Sequence, residues 1–285
     1  GLKGFRQAKY RSVTQRHHSR AITAGVRVNR HHTSDISDDA RLFARSHALL
    51  NRGCYGTNRL EIERMSLAMP DYAARRVSMV DTQVRPSDVT KFPIIDAMLN
   101  VRRELFVPSE QVEAAYVSEN VKLAPGRVVL EPRTFGKLLD AVGVENDDLV
   151  LDIGVGYGYS SAVIARMAEA VIAVEDDEIL AAEAQTILSE EGADNVVVHV
   201  GPLAQGAPDH GPYDVILVQG GVVDVPDTLL AQLKEGGRIG CIFMQDQLGV
   251  VQVGHKIDGH VSWRFAFNAS APVLAGFKND PVFAL

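Results

Sequence analysis

The sequence predicts an α/β fold, a doubly wound and mostly parallel sheet preceded by helices and closed by an antiparallel hairpin. Three observations carry this. Beyond Asp147, short continuous apolar runs alternate with stretches of helical period, the pattern of strands buried on both faces and separated by covering helices. A run with three glycines stands between the first apolar run and its helix. Two last runs, Val250–Ile257 and His260–Phe267, flank Asp258–Gly259, the signal of a two-residue type I′ turn.

The elements follow in order. Pro70 to Val84 has helical spacing, with Tyr72, Arg76 and Met79–Val80 on successive turns, and Arg85–Pro86 stops it because the residue before a proline leaves the helical region. Ser87 is the expected N-cap of a second helix whose Ile94, Ile95, Met98 and Leu99 form an apolar stripe. Phe106 to Pro132, rich in Pro, Gly and short apolar pairs, reads as loops and short strands leading to a helix at about 134–142. Strands are expected at Leu149–Ile153, Ala170–Val174, Val196–Val200, Asp214–Val218 and Arg238–Phe243. Helices are expected at Tyr159–Ala168, Glu178–Glu191 and about 226–234, the second with Ile179, Leu180, Ala184, Ile187 and Leu188 on one face. In the last strand Val261, Trp263, Phe265 and Phe267 alternate onto a single face.

Composition sets the bounds. At 285 residues, 46% hydrophobic and 23% charged, the chain suffices for a full globular core. No run approaches the roughly 18 apolar residues that cross a bilayer, and no secretory leader opens the sequence, so a cytoplasmic protein without membrane contact is expected. Cys54 and Cys241 cannot make a disulfide framework, and neither lies near a second metal ligand at zinc spacing; no metal is expected. The net charge of −7 divides sharply, with 13 Lys and Arg against 5 Asp and Glu in residues 1–64, and 16 against 31 in the remainder. Residues 1–64 read as a disordered basic extension, for which a nucleic-acid arm, an organelle transit peptide and a stretch upstream of a true start at Met65, Met69 or Met79 compete. The last is favoured. Residues 65–285, net −15, form the expected domain and would repel phosphates, so no nucleic-acid partner is expected.

The chemistry concentrates in Val150–Ala165, VLDIGVGYGYSSAVIA. Gly154, Gly156 and Gly158 allow a sharp turn against which a ligand can lie with no Cβ in the way. Glu175 ends the second strand 21 residues after Gly154, where an acid accepts both hydrogen bonds of a ribose diol. The GxGxG spacing puts Tyr159 where a dinucleotide fingerprint needs a small residue, and Asp152 before the glycines would repel a pyrophosphate but meet an ammonium. S-adenosyl-L-methionine is therefore the expected ligand.

These motifs, with MVDTQV (Met79–Val84), IIDAMLNVRRELFVP (Ile94–Pro108), AYVSENVKLAPGRVVLEP (Ala115–Pro132) and QLKEGGRI (Gln232–Ile239), make the chain similar to the protein-L-isoaspartate O-methyltransferases from about Met79 to Phe267. The resemblance implies a Rossmann-like class I methyltransferase fold. It also implies methylation of the free carboxylate of isoaspartyl residues in damaged proteins and peptides, initiating repair through a succinimide. The family's substrate loop carries Thr-Ile-Ser before X-Pro, where this chain has Val128, Val129 and Leu130 before Glu131 and Pro132. Ser118 stands for the family's Asp, and Gly201-Pro202-Leu203 for its Gly-Asp-Gly. Ser118, Arg127 and Leu130 thus occupy the expected catalytic and substrate positions, with Arg127 nominated as a substitute anchor for a carboxylate and a solvated Arg127–Glu131 pair as its plainer alternative. A methyltransferase of the same fold with another acceptor, and a cofactor-binding protein without catalysis, stand as alternatives. A monomer is expected.

Overall fold

The structure, a computed structural model, describes residues 71–278; the expectations for residues 1–64 lie outside them. Helix α1 (Tyr72–Met79) opens on Asp71, whose carboxylate accepts from Ala74 N. The expected helix then continues differently, as a π-helical turn over Val80–Val84 and a 3₁₀ turn over Arg85–Ser87. Ser87 caps nothing. Its hydroxyl donates back to Gln83 O, and α2 (Phe92–Asn100) begins after Lys91 with Pro93 in its first turn, where a proline's missing N–H costs no hydrogen bond. Ile94, Ile95 and Met98 are buried as the stripe requires, and Leu99 is half-buried.

Two 3₁₀ turns (Arg103–Phe106 and Ser109–Ala114) lead into the hairpin of β1 (Val121–Ala124) and β2 (Arg127–Val129), and α3 (Pro132–Val142) follows. The remaining strands make one sheet: β3 (Leu149–Ile153), β4 (Ala170–Glu175), β5 (Val196–Val200), β6 (Tyr213–Val222), β7 (Leu233–Gln245), β8 (Leu248–Ile257) and β9 (His260–Asn268). Their spatial order is β5-β4-β3-β6-β7-β8-β9, parallel through β7 and antiparallel beyond. Helices α4 (Tyr159–Ala165) and α5 (Glu178–Glu190) make the crossovers from β3 to β4 and from β4 to β5. The chain leaves β3 toward β4 on one side and returns to β6 on the other, so the switch point lies between β3 and β6, whose carboxyl ends flank the crevice where such sheets bind ligands.

The sheet's residues sort by the two-residue period. Val150, Val215 and Leu217 join one core with α1 to α5, and Leu151, Ile153, Ile216 and Val218 join the other. The second core has a thinner cover than expected. The helix foreseen at about 226–234 is one turn, α6 (Asp227–Leu230), because Leu233 already pairs with Tyr213 in the sheet. Leu203, Leu229, Leu274 and Phe277 complete that layer.

Two faces read from periodicity are corrected. Ile179 is 72% exposed, while Leu180, Ala184 and Leu188 are buried, because α5 rotates only part of the stripe inward. In β9 the register shifts at Ala266, with Val251 opposite Phe267 and Gln252 opposite Phe265. This bulge puts Val261 and Trp263 on one core, Phe267 in the other, and leaves Phe265 66% exposed. The turn between β8 and β9 is as the sequence predicts, with positive φ at both Asp258 (51°) and Gly259 (76°).

Candidate cofactor and acceptor site

The glycine turn is strapped to the end of β4. Gly154 N donates to Val174 O at 2.8 Å and Gly156 N to a Glu175 carboxylate oxygen at 2.8 Å. Gly154, Gly156 and Gly158 have φ of 77°, 57° and 91°, a region that costs an L residue roughly 1–2 kcal/mol. A Cβ on Gly156 would overlap Leu123 of the hairpin, and one on Gly154 would meet Leu274 at 2.9 Å. The turn is therefore a surface on which other groups lie directly against the backbone.

Asp152 ends in the floor beneath it, fully buried. Its carboxylate accepts from Ser160 Oγ and Ser161 Oγ, both at 2.6 Å, and from Gln219 Nε2 at 2.7 Å. Burial pushes its pKa up to about 6 against the pull of those three donors. Asp152 so acts inside the protein, fixing Gln219 and Ser160, which line the crevice beside Val128–Leu130. Because its folded pKa lies above the unfolded one, its contribution to stability is full below pH 4 and is lost as pH rises through 6. The unfolding free energy of the wild type should fall by about 3 kcal/mol relative to Asp152→Asn between pH 4 and pH 7. Urea unfolding of the two proteins at both pH values checks this, and parallel pH profiles would refute it.

Glu175 is fully buried at the strand end, and burial raises its pKa while Arg127 and Gly156 N oppose the shift. Arg127 reaches it across the sheet edge. Nε lies 3.0 Å from Glu175, and Nη2 is bonded to Asp176. At 6% exposure Arg127 is neither a solvated partner of Glu131 nor, in this arrangement, a free anchor. The solvated pair with Glu131 fails because the β1–β2 hairpin folds down and brings the guanidinium to the two acids after β4. Glu131 turns toward α3, accepting from Thr134 Oγ1 at 2.6 Å.

Leu130 is buried next to the crevice, which has a volume of about 10 Å³, at the limit for one water. Ser118 lies on an exposed turn and makes no side-chain hydrogen bond among the described residues, so it is not brought to Leu130. Asn120 fastens the loop instead, its Oδ1 accepting from Glu131 N at 2.9 Å and its Nδ2 donating to Ser270 O at 3.0 Å. Gly220 and Gly221 leave room for the chain itself: Gly221 pairs with the 272–274 segment and Leu274 packs on Gly220.

Sequence reasoning missed Arg103. It is fully buried, donates to Ala115 O at 2.5 Å and Leu130 O at 2.8 Å, and stacks 4.6 Å over the Tyr159 ring. One side chain thus pins both ends of the 115–130 loop to the helix after the glycine turn. In sequence it stands between Arg102 and Glu104, in a short charged run that reads as solvated surface. Gln219 was equally silent.

Sheet order, glycine turn and terminal acid together define the fold of the class I methyltransferases. Residues 75–266 match the family profile described as protein-L-isoaspartate(D-aspartate) O-methyltransferase. The chain is 36% identical over 169 residues to the protein-L-isoaspartate O-methyltransferase of Roseiflexus castenholzii, covering 59% of this chain and 77% of that one. It is 32% identical over 194 residues to that of Syntrophus aciditrophicus, with 67% and 89% covered. A solved Plasmodium falciparum structure, described as a putative protein-L-isoaspartate O-methyltransferase in complex with S-adenosyl-L-homocysteine, shares the fold with a TM-score of 0.61 at 16% identity, over 74% of this chain and 100% of that one. The chain belongs to the protein-L-isoaspartate(D-aspartate) O-methyltransferase family. Among the described residues no helix is long and apolar enough to cross a membrane, and no group of three or more His, Cys, Asp and Glu could hold a metal.

Proposed function

We propose that the domain over residues 65–285 is an S-adenosyl-L-methionine-dependent carboxyl O-methyltransferase acting on isoaspartyl residues of damaged proteins and peptides, as a cytoplasmic monomer without nucleic-acid or membrane contact. One observation carries this reading: the 121–130 hairpin, at the family's substrate-loop position, lies directly on the glycine turn and on Glu175. Acceptor and cofactor positions are therefore one site.

The residues fit the cofactor in kind. The positive-φ glycines turn the backbone sharply at the end of β3, Glu175 offers a carboxylate for the ribose diol, and Gln219 and Ser160, held by Asp152, stand at the amino-acid end. When bound, the sulfonium supplies an electrophilic methyl group. The acceptor carboxylate is already anionic, so no residue need act as a strong base, and the chain's work is to align the acceptor and exclude water. Leu130, Val129 and Phe135 give the crevice an apolar wall that keeps water out. Arg103 fixes the wall through Leu130's carbonyl.

Incubation of the protein with labelled S-adenosyl-L-methionine and an isoaspartyl peptide or its aspartyl twin tests the proposal. Methylation of the isoaspartyl peptide alone is expected, and equal labelling of the two peptides would end the repair reading. A second reading, the same chemistry on another acceptor, is favoured by one observation: Leu130 puts a buried alkyl group where the family carries a hydroxyl. A screen of small carboxylic acids separates the two.

A further inference from the structure

One oxygen of Glu175 is fully taken. Each carboxylate oxygen offers about two lone pairs; Oε1 accepts from Arg127 Nε (3.0 Å), Asp176 N (3.1 Å) and Asp177 N (3.3 Å), while Oε2 accepts from Gly156 N alone (2.8 Å). Three of these donors are backbone amides fixed by the β4 terminus and the glycine turn. The fourth sits on a side chain of the β1–β2 hairpin. A ribose diol that donates one hydrogen bond to each oxygen finds room at Oε2 but not at Oε1, where the one donor able to yield is the guanidinium of Arg127.

Once it leaves Glu175, Arg127 keeps Asp176, which is exposed, and a long contact from Nη1 to Gly126 O at 3.4 Å. A guanidinium withdrawn from one buried carboxylate needs another anion. The adjoining crevice needs a cation. Val128, Val129, Leu130, Tyr159, Ser160 and Gln219 line it without a positive charge, and the donors of Ser160 and Gln219 already serve Asp152. Arg103 lies behind that wall, fully buried, stacked on Tyr159 and donating to Ala115 O and Leu130 O, so the cation on the hairpin side that could turn to an acceptor carboxylate is Arg127.

We infer that Arg127 is exchanged between Glu175 and the acceptor carboxylate: it competes with the cofactor's ribose for Glu175, and cofactor binding releases it to anchor the acceptor. The two ligands then bind in order, cofactor first. This rests on the proposed placement of the ribose at Glu175 and of an acidic acceptor beside Leu130.

Two opposite effects of one substitution test it. In calorimetric titrations of the full chain, Arg127→Gln should bind S-adenosyl-L-homocysteine at least about tenfold more tightly than wild type, because an internal rival donor to a charged group is gone. An isoaspartyl peptide should bind wild type at least about tenfold more tightly with S-adenosyl-L-homocysteine present than without it, and Arg127→Gln should lose that gain. A residue serving only the fold would move both affinities in the same direction. Asp176→Asn, which keeps Arg127 but loosens its second tether, should tighten S-adenosyl-L-homocysteine binding to a smaller degree and stands in if Arg127→Gln does not fold. Unchanged or weaker S-adenosyl-L-homocysteine binding in these variants overturns the exchange, as does peptide binding indifferent to S-adenosyl-L-homocysteine. Glu175→Ala separates the underlying reading: if it leaves S-adenosyl-L-homocysteine affinity unchanged, the ribose placement itself is wrong.

Discussion

Leu130→Ser is expected to raise kcat/KM for an isoaspartyl peptide by about 30- to 1,000-fold, the equivalent of about 2–4 kcal/mol for a hydroxyl that acts as an oxyanion-type donor. The gain comes with a loss. Leu130 is 2% exposed and packs at the crevice wall, so shortening it should cost about 2–5 kcal/mol of stability, as other buried leucine truncations do. Arg103 still holds the residue's carbonyl, so the new hydroxyl starts from a fixed backbone. Initial rates against both peptides and urea unfolding of the same preparation read the two effects. A stability loss without a rate gain would place the acceptor away from residue 130.

Glu175→Ala is the second large effect. The acid sits where β4 ends, its four donors converging from three directions, and the proposed diol would replace one of them. Hydrogen bonds to a charged group are worth about 1.5–3 kcal/mol each. The variant also frees the site from Arg127's competition, so the net loss should fall near the lower end, about tenfold in S-adenosyl-L-homocysteine affinity. Calorimetry gives the affinity directly, and circular dichroism of the variant confirms that the sheet persists. Thermal unfolding should also show reduced stability, because Gly156 N and Arg127 lose their buried acceptor.

The parts of this structure legible in sequence are those decided locally. Leu149–Ile153 and Val196–Val200 are strands over the predicted spans because each is an apolar run between polar boundaries. The glycine turn and Glu175 lie within one strand-turn-helix-strand unit, so their order along the chain already places them together. What failed depends on partners far away. The bulge at Ala266 answers to the register of β8, and the one-turn α6 answers to Leu233's early pairing with Tyr213. Ser87 had the chemistry of a cap, but the chain takes a left-handed turn at Asp88 before α2 begins. Asp152 meets Gln219 across 67 residues and Glu175 meets Arg127 across 48; neither contact has a local signature. The family resemblance located Arg127 in the loop but could not orient it, since its direction is set by how the hairpin descends on the turn.

Leu274 lies on Gly154 and Gly220, joined to β6 through Gly221. The wall of the glycine turn is therefore supplied from beyond the final strand, some 120 positions after the turn it covers. On the ribosome every strand of the sheet is made before this wall exists. A polypeptide that stops after β9 has the glycines and Glu175 but lacks one side of the turn that joins them. The seven strands of the sheet are thus synthesised before the stretch that completes the turn at which the chemistry is proposed to occur.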